Sequence, residues 1–425
     1  MLVGSSVRRV AIIGGTRIPF ARSMGVYAEA SNQEMLTASL KGLVDRFNLR
    51  GEVLGDVGAG AVLKHSRDFN LTRESVLDSG LAPETPAFDL QRACGTSLDT
   101  AIVLGLKIAT GQIDSAIAAG VDTASDVPIV YPTAYRKLLL RSARGRSLGE
   151  RLAPWSSFRP SFLKPQLPGV SEPRTGMSMG QHCEKMAQTW QIPRADQDQL
   201  AFESHRKAGA AWDAGFYDDL VVPFRGLKQD NNIRRDTSLE KLAKLKPSFA
   251  ANGTLTAGNS TPMTDGSAAV LLASEEWAKA RGLPVLAYLT YGKYAAVDFV
   301  QKEGLLMAPA YAVPRMLADA KLTLQDFDIY EIHEAFEAQV LCTLKAWESP
   351  EFCRDRLGLD APLGSIDRSK MNLKGGSVAI GHPFAATGAR ILATLAKQLA
   401  ERGGGRGLIS ICTAGGMGVT AIVER

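Results

Sequence analysis

Four side chains in this sequence stand where one element gives way to the next: Cys94 in QRACGTSLDT, His333 in IYEIHEAFEAQVL, His382 in GGSVAIGHPFAATGAR and Cys412 in LISICTAGGMGV. Cys94 follows a short apolar run and opens a helical one. A thiol at a helix N-terminus faces the positive end of the macrodipole, which favours thiolate. Gly95 and Thr96 leave the neighbouring amides open to a developing oxyanion. Pro383 suits the first helical position, which puts His382 at the cap of a helix with Ile391, Leu392, Leu395 and Leu399 as its apolar stripe. Gly375, Gly376 and Gly381 precede it, as where backbone approaches a ligand closely. His333 closes a strand over Asp328–Ile332, and Glu334 and Glu337 fall in the first turn of the next helix, where acidic groups suit the dipole. Cys412 ends a strand beside a Gly-rich turn rather than lying inside a core layer. A thiol with an imidazole base performs acyl transfer through a covalent thioester. A second thiol has a use where a carbon acid must gain or lose a proton. HEAFE lacks the second histidine of a zinc-protease motif, and no two Cys or His residues lie at ligand spacing, so no metal is expected. Taken singly, Cys94 reads as readily as a core cysteine, and His382 as a structural cap. Their common placement at strand ends and helix starts, which line the binding crevice of α/β sheets, favours one shared site.

Short strand-like runs at Val10–Gly14, Ala59–Leu63, Ala87–Leu90 and Ser115–Ala119 alternate with helical stretches, the rhythm of a layered α/β domain. From about Ser125 to Thr261 strand signals thin out, Pro and basic residues rise, and amphipathic helices such as SMGQHCEKMAQTW and ADQDQLAFESHRKAGAAW appear. The α/β rhythm returns at DGSAAVLLAS. The stretch from Cys94 to Gly120 and the stretch from Gly381 to Gly416 share an order of parts: a reactive side chain, a Gly- and Ala-containing helix, a strand and a Gly turn. This predicts a duplicated α/β fold. The expected division is an N-terminal α/β half (1–124 and 262–284), an inserted, mainly helical loop domain (125–261) and a C-terminal α/β half (285–425).

With 45% hydrophobic residues the chain is large enough for two or three domains. Charges interrupt every long apolar run, so no membrane span is expected. The basic pair Arg8–Arg9 follows the start too closely for a signal or transit peptide. Five unpatterned cysteines argue against a disulfide framework and for a reducing, cytoplasmic compartment. The net charge of +5 is mild, and the basic residues are not gathered in any nucleic-acid-binding motif, so nucleic acid is not an expected partner. One stretch is locally basic: from Arg136 to Arg174, nine Lys/Arg face only Glu150 and Glu172. It reads either as a solvated loop or as a docking surface for something anionic, with Leu138, Leu139, Leu140 and Trp155 available for apolar contact.

RIPFAR, RACGTS, NGTLTAGNSTPMTDGSAAV, HEAF, GGSVAIGHPFAATGAR and CTAGGMGV together resemble, in order and over essentially the whole chain, the signatures of the thiolase family. The resemblance implies a five-layered α-β-α-β-α fold of two similar halves with a loop domain inserted in the first, assembled as a dimer or tetramer. It implies Cys94 as the nucleophile carrying the acyl group, His382 as its base, and Cys412 as the acid/base at the α-carbon. His333 would join His382 in holding a thioester oxygen. The amides of Cys94 and Ala414 would form the oxyanion hole, although Ala414 stands where the family has a glycine. Thr261, with Asn259 and Ser260, falls where the family meets the pantetheine of coenzyme A, and Met179–Gly180 resembles the loop-domain segment lining the acyl pocket. CoA is then a substrate, and no cofactor is implied. Many biosynthetic thiolases carry Asn where His333 stands. The HEAF form resembles the degradative branch that forms the β-subunit of the fatty acid oxidation complex, which implies cleavage of 3-ketoacyl-CoA by CoA in β-oxidation. The branch also suggests docking of the basic stretch against a hydratase/dehydrogenase α-subunit or an anionic membrane surface. Two other readings are weighed: acetoacetyl-CoA synthesis by the same chemistry run as a condensation, and an acyl-CoA-binding relative without turnover. Retention of both cysteines and both histidines counts against the latter.

Overall fold

The computed structural model describes residues 7–169 and 171–425, so the reading of the first six residues lies outside it. Ten strands and fourteen α-helices follow one another among these residues. The first part runs β1 (Val10–Arg17), β2 (Ala21–Arg22), α1 (Asn32–Arg46), β3 (Asp56–Ala59), α2 (Leu71–Leu77), β4 (Ala87–Asp89), α3 (Thr96–Ala109) and β5 (Ser115–Asp122). No named strand then occurs until residue 264, and the intervening helices are α4 (Thr133–Arg144), α5 (Leu148–Leu152), α6 (Met179–Thr189), α7 (Arg194–Asp213) and α8 (Leu239–Ala243). The remainder runs β6 (Thr264–Ser274), α9 (Glu275–Ala280), β7 (Ala287–Ala296), α10 (Ala308–Ala320), β8 (Ile329–Ile332), α11 (Glu337–Glu348), α12 (Pro350–Leu357), α13 (Ser377–Ile380), α14 (Thr387–Arg402), β9 (Arg406–Thr413) and β10 (Met417–Glu424).

The strand order β4-β3-β5-β6-β1-β7-β10-β9-β8 contains the same pattern twice. From β1 outward, β6 and β5 pair antiparallel and β3 parallel. From β7 outward, β10 and β9 pair antiparallel and β8 parallel. The halves meet where Ala11 and Ile12 of β1 pair with Tyr288 and Ala287 of β7. The alternation of side chains along each strand then sorts the core into layers. Ala11, Ile13, Ile117 and Ala119 pack outward with α1 and α2. Val10, Ile12, Ala116 and Ala118 turn inward with α3, α14 and the inner residues of β9 and β10. Tyr330, Leu408 and Ile422 pack outward again with α10 and α11. The result is the five-layered α-β-α-β-α stack. β6 is buried along its whole length because both faces are covered, which is why TDGSAAVLLAS shows no polar alternation. The two central helices approach closely at Gly388, where a Cβ would lie 2.4 Å from the Leu98 amide nitrogen.

Several local expectations shift. The run expected as a strand over Ala59–Leu63 leaves the sheet after Ala59, because the carboxylate of Asp122 takes the amides of Val62 and Leu63 at 2.9 and 2.8 Å. Pro383 does not start a helix: its ψ of 89° is non-helical, a 3₁₀ turn spans Phe384–Ala386, and α14 begins at Thr387. Glu334 precedes α11 rather than lying in its first turn, because residues 333–336 are drawn out by a bridge between Ser260 and Phe336. The basic stretch is not a loop: it folds into α4, α5 and two 3₁₀ turns.

Candidate active site

The turn that presents Cys94 is tight. Ala93 adopts φ 44°, and Gly95 packs so closely that a Cβ there would lie 2.7 Å from Val419. The amides of Ala414, from the 3₁₀ turn after β9, and of Cys94 itself lower the cost of a thiolate on this sulfur. These donors come from opposite halves of the duplicated fold, so the pair exists only once both sheets are assembled. Burial nonetheless pushes the thiol up to about 12, the two amides offsetting only part of the cost, and the carboxylate of Asp122 adds to the rise. Cys94 keeps part of its surface exposed, yet desolvation outweighs the dipole in this setting and argues for a neutral resting thiol, against the expectation from the helix start.

His382 is buried on the turn before α14, with Nδ1 2.6 Å from Thr387 Oγ1. Burial, and then the Arg390 guanidinium, lower it to about 3, so it too rests neutral. The position of its turn is set from across the molecule. Asp122 Oδ2 accepts from Ala385 N at 2.8 Å, and Gly120 lets the turn lie directly on β5, since a Cβ there would meet the Ala385 carbonyl oxygen at 2.1 Å. Asp122 is itself raised to about 7 by burial despite three backbone donors.

His333 follows β8, its amide bonded to Ser410 O at 2.9 Å, so β9 sets its height. Its ring centroid lies 4.2 Å from that of His382. Nδ1 is 2.9 Å from Ser377 Oγ, while Nε2 is buried with no partner. Burial, His382 and Arg390 all lower this imidazole. The loop facing it is pinned by Glu334, whose carboxylate accepts from Ser204, Asn372 and the amide of Val378 at 2.7, 2.6 and 3.2 Å. Gly376 is required there, since a Cβ would fall 2.1 Å from the Glu334 carboxyl.

Cys94, His333 and His382 each place a donor atom within 4.8 Å of the others. Sequence spacing gave no sign of such a cluster, and its geometry could admit a soft cation. The fully buried Arg390, which lowers both imidazoles, instead gives the spot a positive field suited to an anion. Cys412 lies close enough to be raised by Cys94 as well as by burial. It is a core residue after all, packed among Met307, Ala308 and Phe336, which corrects its expected place outside a core layer.

The remaining expected residues divide. Met179 packs against the cluster that contains Cys412, and Gly180 is small because Phe249 occupies the place of a side chain, 2.2 Å from its would-be Cβ. Thr261 caps Ala335 O through its amide and hydroxyl at 3.1 and 3.2 Å. Ser260 Oγ is buried without a partner and so retains its bonding capacity. Asn259 does not: its side chain is spent on Thr256, Asp198 and Thr254, which makes it a brace of the fold rather than a ligand contact. Sequence reasoning missed Asp122, Glu334, Ser377 and Arg390 as supports of the site. A charge set within an apolar run, as in SAIAAGVD and GARILATLA, is the signal that could have found Asp122 and Arg390. Beside the Gly416 turn, where Phe299 packs, a cavity of about 590 Å³ is walled in part by Met177, His182, Met186, Trp190 and Phe352.

The fold, with a cysteine at a helix start beside paired imidazoles and a second thiol, is that of an acyl-transferring enzyme. The description "Thiolase, N-terminal domain" fits residues 10–276, and "Thiolase, C-terminal domain" fits residues 283–425. The chain belongs to the thiolase family. It is 41% identical over 423 residues to a 3-ketoacyl-CoA thiolase of Yersinia pestis (strain Pestoides F), covering 98% of this chain and 97% of that protein. Among solved structures it resembles human mitochondrial 3-ketoacyl-CoA thiolase (TM-score 0.81, 27% identity, 98% of this chain and 99% of the other). It also resembles the acetyl-CoA acetyltransferase of Bacillus anthracis (TM-score 0.82, 28% identity, 99% and 100%).

Proposed function

We propose that this chain is a degradative 3-ketoacyl-CoA thiolase, cleaving a 3-ketoacyl-CoA with CoA to acetyl-CoA and an acyl-CoA two carbons shorter. The observation that carries the reading is the convergence of Cys94, His333 and His382 within 4.8 Å, beside the buried thiol of Cys412. His382 removes the Cys94 proton as the sulfur attacks C3. The C2–C3 bond breaks, its electron pair passing into the thioester to form the enolate of acetyl-CoA. His333 Nε2–H and the His382 ring, now carrying the Cys94 proton, hold the thioester oxygen where that charge gathers, and preorganised donors are worth most where charge develops. Cys412 gives its proton to C2, releasing acetyl-CoA. CoA then attacks the Cys94 thioester, whose oxyanion meets the amides of Cys94 and Ala414; the CoA proton passes to the Cys412 thiolate, and His382 returns the proton it took to Cys94 as that sulfur leaves, which restores both thiols. CoA is a substrate and no cofactor enters any step.

Residues 125–261, in this reading, form the loop domain that shapes the CoA and acyl ends of the site through Ser260, Thr261, Met179 and Gly180. The cavity beside Phe299 gives an acyl chain longer than acetyl somewhere to run. The nine basic side chains from Arg136 to Arg174 are all exposed, and none forms an ion pair among the described residues. With exposed Leu140 and Trp155 they form a face for a hydratase/dehydrogenase subunit or an anionic membrane; Leu138 is buried and takes no part. No helix among the described residues is long and apolar enough to cross a membrane, so such contact would be peripheral. We further expect a homo-oligomer working in a reducing, cytoplasmic compartment.

The test is thiolysis by the purified protein of 3-ketoacyl-CoAs of graded chain length, with mass spectrometry of the acid-quenched enzyme. The expected product is a shortened acyl group on the Cys94 peptide. An acyl group found on Cys412, or no CoA-dependent cleavage at any chain length, would overturn the assignment.

A further inference from the structure

The protonation of the orphaned Nε2 of His333 is set on the other side of the ring, two hydrogen bonds away. Ser377 Oγ stands 2.9 Å from His333 Nδ1 and 2.6 Å from Arg390 Nη2. A guanidinium can only donate, so the oxygen accepts on that side. The hydroxyl has one hydrogen to give, and among the described residues its one other hydrogen-bond neighbour is His333 Nδ1. The hydroxyl therefore donates to Nδ1, and a neutral ring that accepts at Nδ1 carries its proton on Nε2. The opposite tautomer would leave the serine hydrogen buried and unpaired. It would also turn a lone pair, not a proton, toward the pocket.

We propose that Ser377 and Arg390 are positioning residues that lock His333 in the Nε2-protonated tautomer, making it a dedicated hydrogen-bond donor to an anionic oxygen of the substrate. This goes beyond the catalytic reading and rests on it for the identity of that oxygen. Each part of the relay is held from elsewhere. Arg390 is 2% exposed on α14, with Glu331 and Glu334 in its field. Ser377 is the first residue of α13, and the loop before it is fixed because Gly376 donates its amide to Ser204 Oγ at 3.0 Å. Asn372 binds both backbone groups of Ile332 at 2.9 Å, which keeps the loop in register with the strand that carries His333. The Arg390 charge also disfavours a second proton on His333, so the ring remains a neutral donor.

The experiment is ¹⁵N NMR of protein labelled at histidine, with His333 assigned by its loss in His333→Asn. The wild type should show a pyridine-like Nδ1 and a pyrrole-like Nε2 for this residue. In Ser377→Ala the two nitrogens should move toward averaged values. Arg390→Gln offers Ser377 an acceptor, lets the hydroxyl turn away, and should do the same. Turnover in Ser377→Ala should fall about tenfold, less than the 10²–10³-fold loss of a whole donor, with KM little changed. Ser377→Thr, which keeps the hydroxyl, should restore both the spectrum and the rate. A wild-type spectrum with the proton on Nδ1 refutes the relay, as does a Ser377→Ala variant with an unaltered His333 spectrum. If the alanine variant does not fold, the wild-type and threonine spectra decide. The spectra need no substrate, so a relay that is present in a protein without thiolysis would refute the function and not the relay.

Discussion

The resting state of Cys94 makes the sharpest prediction. Two arrangements could activate a thiol beside an imidazole: a preformed thiolate–imidazolium pair, or a neutral pair in which the proton moves only as the sulfur attacks. The structure favours the second, because burial raises Cys94 to about 12 and lowers His382 to about 3. A thiol at about 12 is ionised to only ~10⁻⁵ at pH 7, and each pH unit raises that fraction about tenfold. Alkylation of Cys94 by iodoacetamide, which requires thiolate, should thus rise roughly tenfold per unit from pH 6 to pH 9.5 without a plateau. The rate is read as loss of the free Cys94 peptide by mass spectrometry; the other four cysteines are buried and serve as internal controls. His382→Ala should leave this slope intact while slowing acylation by acyl-CoA by about 10²–10⁴, the usual worth of a general base. A pH-independent alkylation rate across that range, lost in His382→Ala, would mean a preformed ion pair and refute the argument from burial.

Cys412→Ala should leave acylation of Cys94 largely intact and abolish exchange of the α-protons of acetyl-CoA; normal deuterium uptake at the acetyl methyl would remove Cys412 from the chemistry. His333→Ala should cost about 10²–10³ in rate and His333→Asn less, because an amide can still donate one hydrogen bond; equal rates in His333→Ala and wild type would exclude the residue. Gly120→Ala drives a Cβ against the Ala385 carbonyl, a backbone atom that cannot yield, so about 1–3 kcal/mol of stability should be lost along with His382-dependent acylation; an unchanged thermal midpoint and acylation rate would count against the packing argument. Neutralising Arg136, Lys137, Arg141 and Arg144 together should weaken binding to anionic vesicles or to a partner subunit, at about 1 kcal/mol per charge and less at high salt. Thiolysis of a short substrate should be unaffected, and its loss with binding intact would move the stretch into the CoA site.

Much of the candidate site was legible in the sequence because its residues sit at punctuation. Cys94, His333 and His382 stand at joins between strand, turn and helix, and Cys412 one residue before such a join, where glycines and a proline stand out against apolar runs. The duplication was legible for a related reason: each half repeats the order of reactive residue, helix, strand and Gly turn, and that order is local. What the sequence could not carry is whatever depends on partners far apart in the chain. Asp122 reaches Ala385 across 263 positions and sets the turn that carries His382. Glu334 reads as a helix-start acid and is instead a clamp between Ser204 and Asn372. Asn259 sits in a ligand-like motif and is used up bracing Asp198. The ionisation of Cys94 shows the reason most directly. A helix start is written in local sequence and argues for thiolate, whereas desolvation depends on how many layers close over the sulfur, and only the assembled five-layer stack decides that.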